Sequence, residues 1–229
     1  MREINSTIGA DPDSLFLRIK NDIDGAASNG KTLNDLLGMF HRGYPTVKIL
    51  ELLASGNVTT VRAAAWLLSE IGGAACIHRA SVWFLLESED PKVRFSIINF
   101  VVVCAGDGDG ELIVKLMNCL SDSNAAVRWK ALDAIVRLSD LQVRAASEWL
   151  VRNQPDYSYM TAIGLLNHKQ TVAVERAVER IEAGQNASGI QGKLITLSAI
   201  RAKLPLSRIQ DLVEKLNDND LREFLDDFD

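Results

Sequence analysis

Val47-Lys48-Ile49-Leu50-Glu51-Leu52-Leu53, Ser55-Gly56-Asn57 and Val61-Arg62-Ala63-Ala64-Ala65-Trp66-Leu67-Leu68 read in order as an apolar helix, a polar turn and a second apolar helix opened by Val-Arg. The order returns as Val82-Trp83-Phe84-Leu85-Leu86, Glu89-Asp90-Pro91 and Val93-Arg94-Phe95-Ser96-Ile97. It returns again as Leu112-Ile113-Val114-Lys115-Leu116, Ser121-Asp122-Ser123-Asn124 and Val127-Arg128-Trp129-Lys130-Ala131-Leu132. The Val-Arg pairs stand 32 and 34 residues apart. A helical unit of that length cannot bury its apolar face alone, so the pattern predicts stacked pairs in an all-α solenoid.

The same rhythm extends along the chain. Apolar periodicity, broken by Gly, Pro, Asn, Asp or Ser, predicts helices near 12–26, 32–41, 45–55, 58–72, 74–88, 91–105, 109–120, 124–138, 140–152, 157–167, 170–183, 188–203, 206–216 and 219–227. That makes about seven antiparallel pairs, a superhelix occupying residues 1–229 as one domain. Asn57, Asp90 and Asn124 are placed to cap the Val-Arg helices, and Pro91 suits a first-turn position. Val101-Val102-Val103 favours a strand by propensity but continues a helical stripe, so it is read as helix.

Composition limits the function classes. With 47% hydrophobic and 24% charged residues, the chain has the make-up of a globular protein. Its longest apolar runs, such as Phe100 to Ala105, are too short for a transmembrane helix. The opening Met1-Arg2-Glu3-Ile4-Asn5 does not read as a secretory signal, and a cytoplasmic location is expected. The formal net charge is −5, and residues 217–229 alone carry −5, with six acids against Arg222. This segment reads as an acidic cap or tail able to steer a basic partner. No basic run advertises a grip on nucleic acid.

Cys76, Cys104 and Cys119 show no Cys-x-x-Cys spacing, and His41, His78 and His168 are scattered. No metal, cofactor or disulfide framework is expected, and each cysteine reads as a small buried hydrophobe. Asp107-Gly108-Asp109-Gly110 lacks the glycine that a calcium loop needs where Leu112 stands, so it is read as a turn. Phosphate-binding glycine loops, nucleophile elbows and His-Glu-x-x-His are absent.

Residues 44–138 resemble HEAT repeats, in particular the HEAT-like subtype of phycobilin lyases. The resemblance implies that each Val-Arg helix lines the concave side of the superhelix. It also implies that the turn acid or amide and the following arginine, Asp90 with Arg94 and Asn124 with Arg128, form a ladder between neighbouring units. At about 100° per residue, Val61, Val93 and Val127 should face the core. Residues two and six places on should point away from it: Ala63, Phe95 and Trp129, then Leu67, Asn99 and Asp133. Phe95, Asn99, Trp129 and Asp133 are therefore the candidate partner-binding residues, with Tyr157 a further aromatic anchor.

The expected function is a non-catalytic protein-binding scaffold, adaptor or inhibitor. A specific form is an immunity protein that neutralises a basic bacterial toxin domain. The alternative is suggested by Trp129 and Asp133, whose Trp-x-x-x-Asp spacing resembles HEAT-repeat glycosylases acting on alkylated DNA bases. A subunit like the bilin lyases is the other enzymatic option.

Overall fold

In the computed structural model, described over residues 11–154, 159–167, 170–187 and 189–227, every regular element is helical. None of the described helices is long and apolar enough to cross a membrane. The chain divides into two units, Met1–His78 and Arg79–Asp229, each taken by itself below.

In the first unit, α1 (Pro12–Lys20) starts where Asp11 accepts the Ser14 N–H, with Pro12 in its first turn. The expected helix over 12–26 stops at Lys20. Asp22 and Asp24 take left-handed conformations, with φ of 49° and 53°, and the Asp22 carboxylate accepts the Ala27 N–H. Aspartate tolerates that region and competes locally for backbone donors, so a 3₁₀ turn, Ile23–Ser28, replaces the last helical turn. Then come α2 (Gly30–His41), α3 (Lys48–Leu53) and α4 (Val58–Ile71). Asn57 caps α4 by accepting the N–H groups of Thr59 and Thr60. Ile49 and Leu52 of α3 are buried with Ala64, Leu67 and Leu68 of α4, the short turn between folding one helix back on the other. The hydroxyl of Thr60 donates to the Ile19 carbonyl near the end of α1, at 3.2 Å.

The expected helix over 74–88 is not continuous. A 3₁₀ stretch (Gly72–His78), a single α-turn, α5 (Arg79–Val82), and another 3₁₀ stretch (Trp83–Glu87) stand in its place. The backbone of Val82, at φ −130°, leaves the helical region between the last two.

In the second unit follow α6 (Pro91–Cys104), α7 (Gly110–Asn118), α8 (Ala125–Val136), α9 (Asp140–Asn153), α10 (Met160–Leu165), α11 (Thr171–Glu182), α12 (Gly189–Arg201), α13 (Leu206–Leu216) and α14 (Asn219–Asp226). Asp90 and Asn124 cap α6 and α8 as expected, and Ser139 with Gln142 forms a capping box on α9. Val101-Val102-Val103 is helical. The valines of the repeated pattern, Val93 and Val127, are both buried. Second helices stack on each other, α6 on α8, and so do first helices, α7 on α9.

Beyond α9 the chain wraps around α12. That helix is buried around most of its circumference, from Ile190 through Leu194, Leu197 and Ala199, and touches α8, α10, α11 and α13. Its apolar residues fall on several sides, and its buried polar residues Lys193, Thr196, Ser198 and Arg201 are hydrogen-bonded, so neighbours can cover it on several sides. The acidic segment 217–229 is, over its described part, the folded helix α14, whose Leu221, Phe224 and Leu225 are buried and which packs on α13 and back on α8.

Candidate functional site

Two arginines of the repeated pattern, Arg94 and Arg128, act as struts. Arg94 grips Asp122 with Nε and Nη2, each at 2.7 Å, while its Nη1 donates to the carbonyls of Ser88 and Glu89. Arg128 repeats the arrangement: Nε and Nη2 hold Asp220 at 2.8 Å, and Nη1 donates to the carbonyls of Asp122 and Ser123. In both, one nitrogen ties the arginine to its own turn and the fork reaches elsewhere. The expected ladder partners differ. Asp90 and Asn124 cap their helices, and the fork takes the carboxylate of Asp122 from the next turn or of Asp220 from α14. A bidentate fork demands a planar carboxylate, which an asparagine cannot supply.

These contacts set the acid response. Burial, the largest influence on Asp122, pushes its pKa up, but the Arg94 hydrogen bonds, the Asn124 N–H and the two arginine charges outweigh it. Asp220 is pulled below its ordinary value of 3.8 first by the Arg128 hydrogen bonds and further by Lys193, against the effect of burial. A carboxylate with a lowered folded pKa adds stability above its unfolded pKa of about 3.9, and that stability is lost as pH falls through the folded value. Thermal melts should therefore be insensitive to these pairs from pH 7 to about pH 5 and fall steeply below about pH 4. An Asp122→Asn protein with the same acid profile as the parent would contradict this.

Three of the four candidate residues come together. Phe95 and Asn99 lie on α6, Asp133 on α8, and all are half-buried. Lys130 Nζ stands 5.5 Å from the centre of the Phe95 ring and 3.1 Å from the Asp133 carboxylate. Arg137 Nη2 donates to Asp133 at 2.5 Å and to the Asn99 amide oxygen at 3.4 Å, and Arg137 Nε donates to the Asp133 carbonyl. The two cations were not among the expected residues. Their signal was present: they flank Asp133 at three and four positions, the spacings at which helical side chains meet.

Trp129 goes elsewhere. Its indole meets the edge of Phe224 on α14, centroids 6.2 Å apart, and its Nε1 is buried with no hydrogen-bond partner among the described residues. Trp129 and Asp133 are both half-buried on α8, but Trp129 turns its Nε1 edge into the packing with α14 while Asp133 is held by Lys130 and Arg137. The projection also fails in α4, where Ala63 and Leu67 are buried and Val61 is half-buried. The helix is covered on more than one side there, by α2, α3 and the Ile23–Ser28 turn. Tyr157 and His168 lie outside the described residues.

The α6/α8 face carries two cations against one carboxylate. Acidic character lies in an open cleft of about 950 Å³ where Glu182, Asp211, Glu214 and Asp226 outnumber Lys215 and Arg222. Cys119 is a buried free thiol that desolvation pushes up to about 12, as suits a small hydrophobe. Cys76 and Cys104 are not free thiols, a departure from expectation.

No protein-family model matches the chain, and no curated protein matches it. Among solved structures, the crystal structure of an engineered protein matches 95% of this chain and 94% of its own, at 14% identity and a TM-score of 0.42. That likeness is too distant to bear on fold or function.

Proposed function

We propose that the chain is a non-catalytic repeat scaffold of the HEAT-like kind that binds a protein partner through the α6/α8 face. The observation that carries the reading is the pre-paired group of Phe95, Asn99, Lys130, Asp133 and Arg137. Its polar atoms are already held by one another across two helices, and an aromatic ring lies beneath a cation. A partner meeting such a surface orders few side chains, which limits the entropy that opposes binding. Aromatic and arginine side chains are also the types that anchor interfaces.

A solenoid arrangement finds support in the stacking of α6 on α8 and α7 on α9. Inhibition of a basic toxin domain, the narrower form, is favoured by the cleft beside α13 and α14 rather than by the α6/α8 face, whose local charge is positive. Affinity purification with the parent chain and with a Phe95→Ala/Arg137→Ala protein tests the reading. A partner recovered at least about tenfold better by the parent, at equal thermal stability, is expected for the loss of two interface anchors. Equal recovery of every partner would remove the α6/α8 face from consideration.

A further inference from the structure

The α8 surface carries a second face, and a piece of the chain itself covers it. α14 is eight residues long and follows α13 through Asn217, a non-glycine residue at φ 50°, and Asp218. Its apolar side, Leu221, Phe224 and Leu225, is buried, with Phe224 set against Trp129. Its polar anchor is Asp220, gripped by Arg128 of α8 and by Lys193 of α12, whose Nζ also donates to the Leu120 carbonyl. The seat is imperfect at one atom, because Trp129 Nε1–H is shut away there with no acceptor among the described residues. A buried donor left unpaired opposes the packing that buries it, and opening would return it to water.

We propose that α14 is a displaceable strap over α8, whose release exposes Trp129 and the Arg128 fork as an additional docking surface for an acidic, amphipathic helix of a partner. The chemistry of the competitor is read from the present occupant: a carboxylate near its N-terminus for Arg128 and Lys193, and an aromatic residue four positions on for Trp129. A helix of eight residues is marginal in water, where lone helices need roughly 12–15 residues. Leaving the seat therefore means unfolding, and α14 opens locally without α6 to α9. Its regulatory meaning rests on the partner-binding reading; the opening itself rests only on the contacts of α14.

Hydrogen exchange of the full chain followed by mass spectrometry tests the opening with no partner present. Amides of residues 219–226 should exchange at least about tenfold faster than those of α8, and Asp220→Asn should speed them further while α6 and α9 keep the parent's protection. Phe224→Ala is the second variant, should the first lose protection throughout the unit. Acrylamide quenching of tryptophan emission should rise in both variants, and Trp129→Phe in the same backgrounds should abolish the rise. Exchange of α14 at the rate of α8 in parent and variants, or quenching unchanged by either substitution, would overturn the strap.

Docking is then read with a fluorescent peptide of residues 217–227. It should bind the Phe224→Ala protein at least tenfold more tightly than the parent. Equal binding to both, or none to either, would overturn the docking surface even where the exchange result stands. Failure of the earlier affinity purification would leave both of these results untouched.

Discussion

Replacing Arg201 with methionine should lower the unfolding free energy of the Arg79–Asp229 unit by about 3–5 kcal/mol. The side chain is 2% exposed and works at helix ends. Its Nε donates to the Leu166 carbonyl just beyond α10, and its Nη1 donates to the carbonyls of Val136 and Leu138 where α8 finishes. Those are the positions where a helix leaves carbonyls without internal partners and where its dipole favours a cation. Burial, the largest influence, pulls the Arg201 pKa down and Asp140 opposes it, yet a guanidinium stays charged at neutral pH. Methionine fills similar space without a donor, so the loss isolates the unpaired carbonyls rather than a cavity. Urea unfolding followed by circular dichroism reads the change. A loss below about 1 kcal/mol, the worth of one ordinary hydrogen bond, would mean that water replaces the guanidinium at these sites. Lysine, which offers one nitrogen for three carbonyls, should fall between.

Gly110→Ala should cost about 3 kcal/mol, the top of the usual range for overpacking. A Cβ on Gly110 would stand 2.2 Å from the Ala145 carbonyl oxygen and 2.7 Å from Trp149 Cβ. Both belong to α9, on which α7 packs closely. The obstructing oxygen is backbone, so no rotamer change relieves the clash and one helix must move off the other. Gly164→Ala in α10 is the matched control. A Cβ there meets nothing within 4 Å, and alanine should stabilise the helix by about 0.5–1 kcal/mol. Similar effects of the two substitutions on the thermal midpoint would refute the close approach of α7 to α9.

Local signals were readable where local physics decides. Asn57, Asp90 and Asn124 cap their helices because a side-chain oxygen one position before a helix meets its first free N–H groups, whatever the rest of the chain does. Asn99 and Asp133 share a face because neighbouring helices carry the same register. Phe95 belongs with them, but Trp129, at the matching position, does not, since its surroundings come from α14. The roles of Lys193 and Arg201 left no trace in the pattern. Each is a basic residue on an apolar helix, which reads as a solvated position until carbonyls from other helices surround it.

The sequence by itself determined an all-helical chain, its rhythm of turns and caps, and the inward valines Val93 and Val127, because these follow from hydrogen bonds and periodicity within about one turn. Only the tertiary structure decided the partners of the arginines and the fate of the acidic segment. Arg128 and Asp220 are 92 residues apart, and no periodicity links positions so distant. A carboxylate written as part of a charged tail becomes a half-buried strut once α12 and α8 bring Lys193 and Arg128 to one place. Charge is a property of the residue, and whether it meets solvent, a partner or its own chain is a property of the packing.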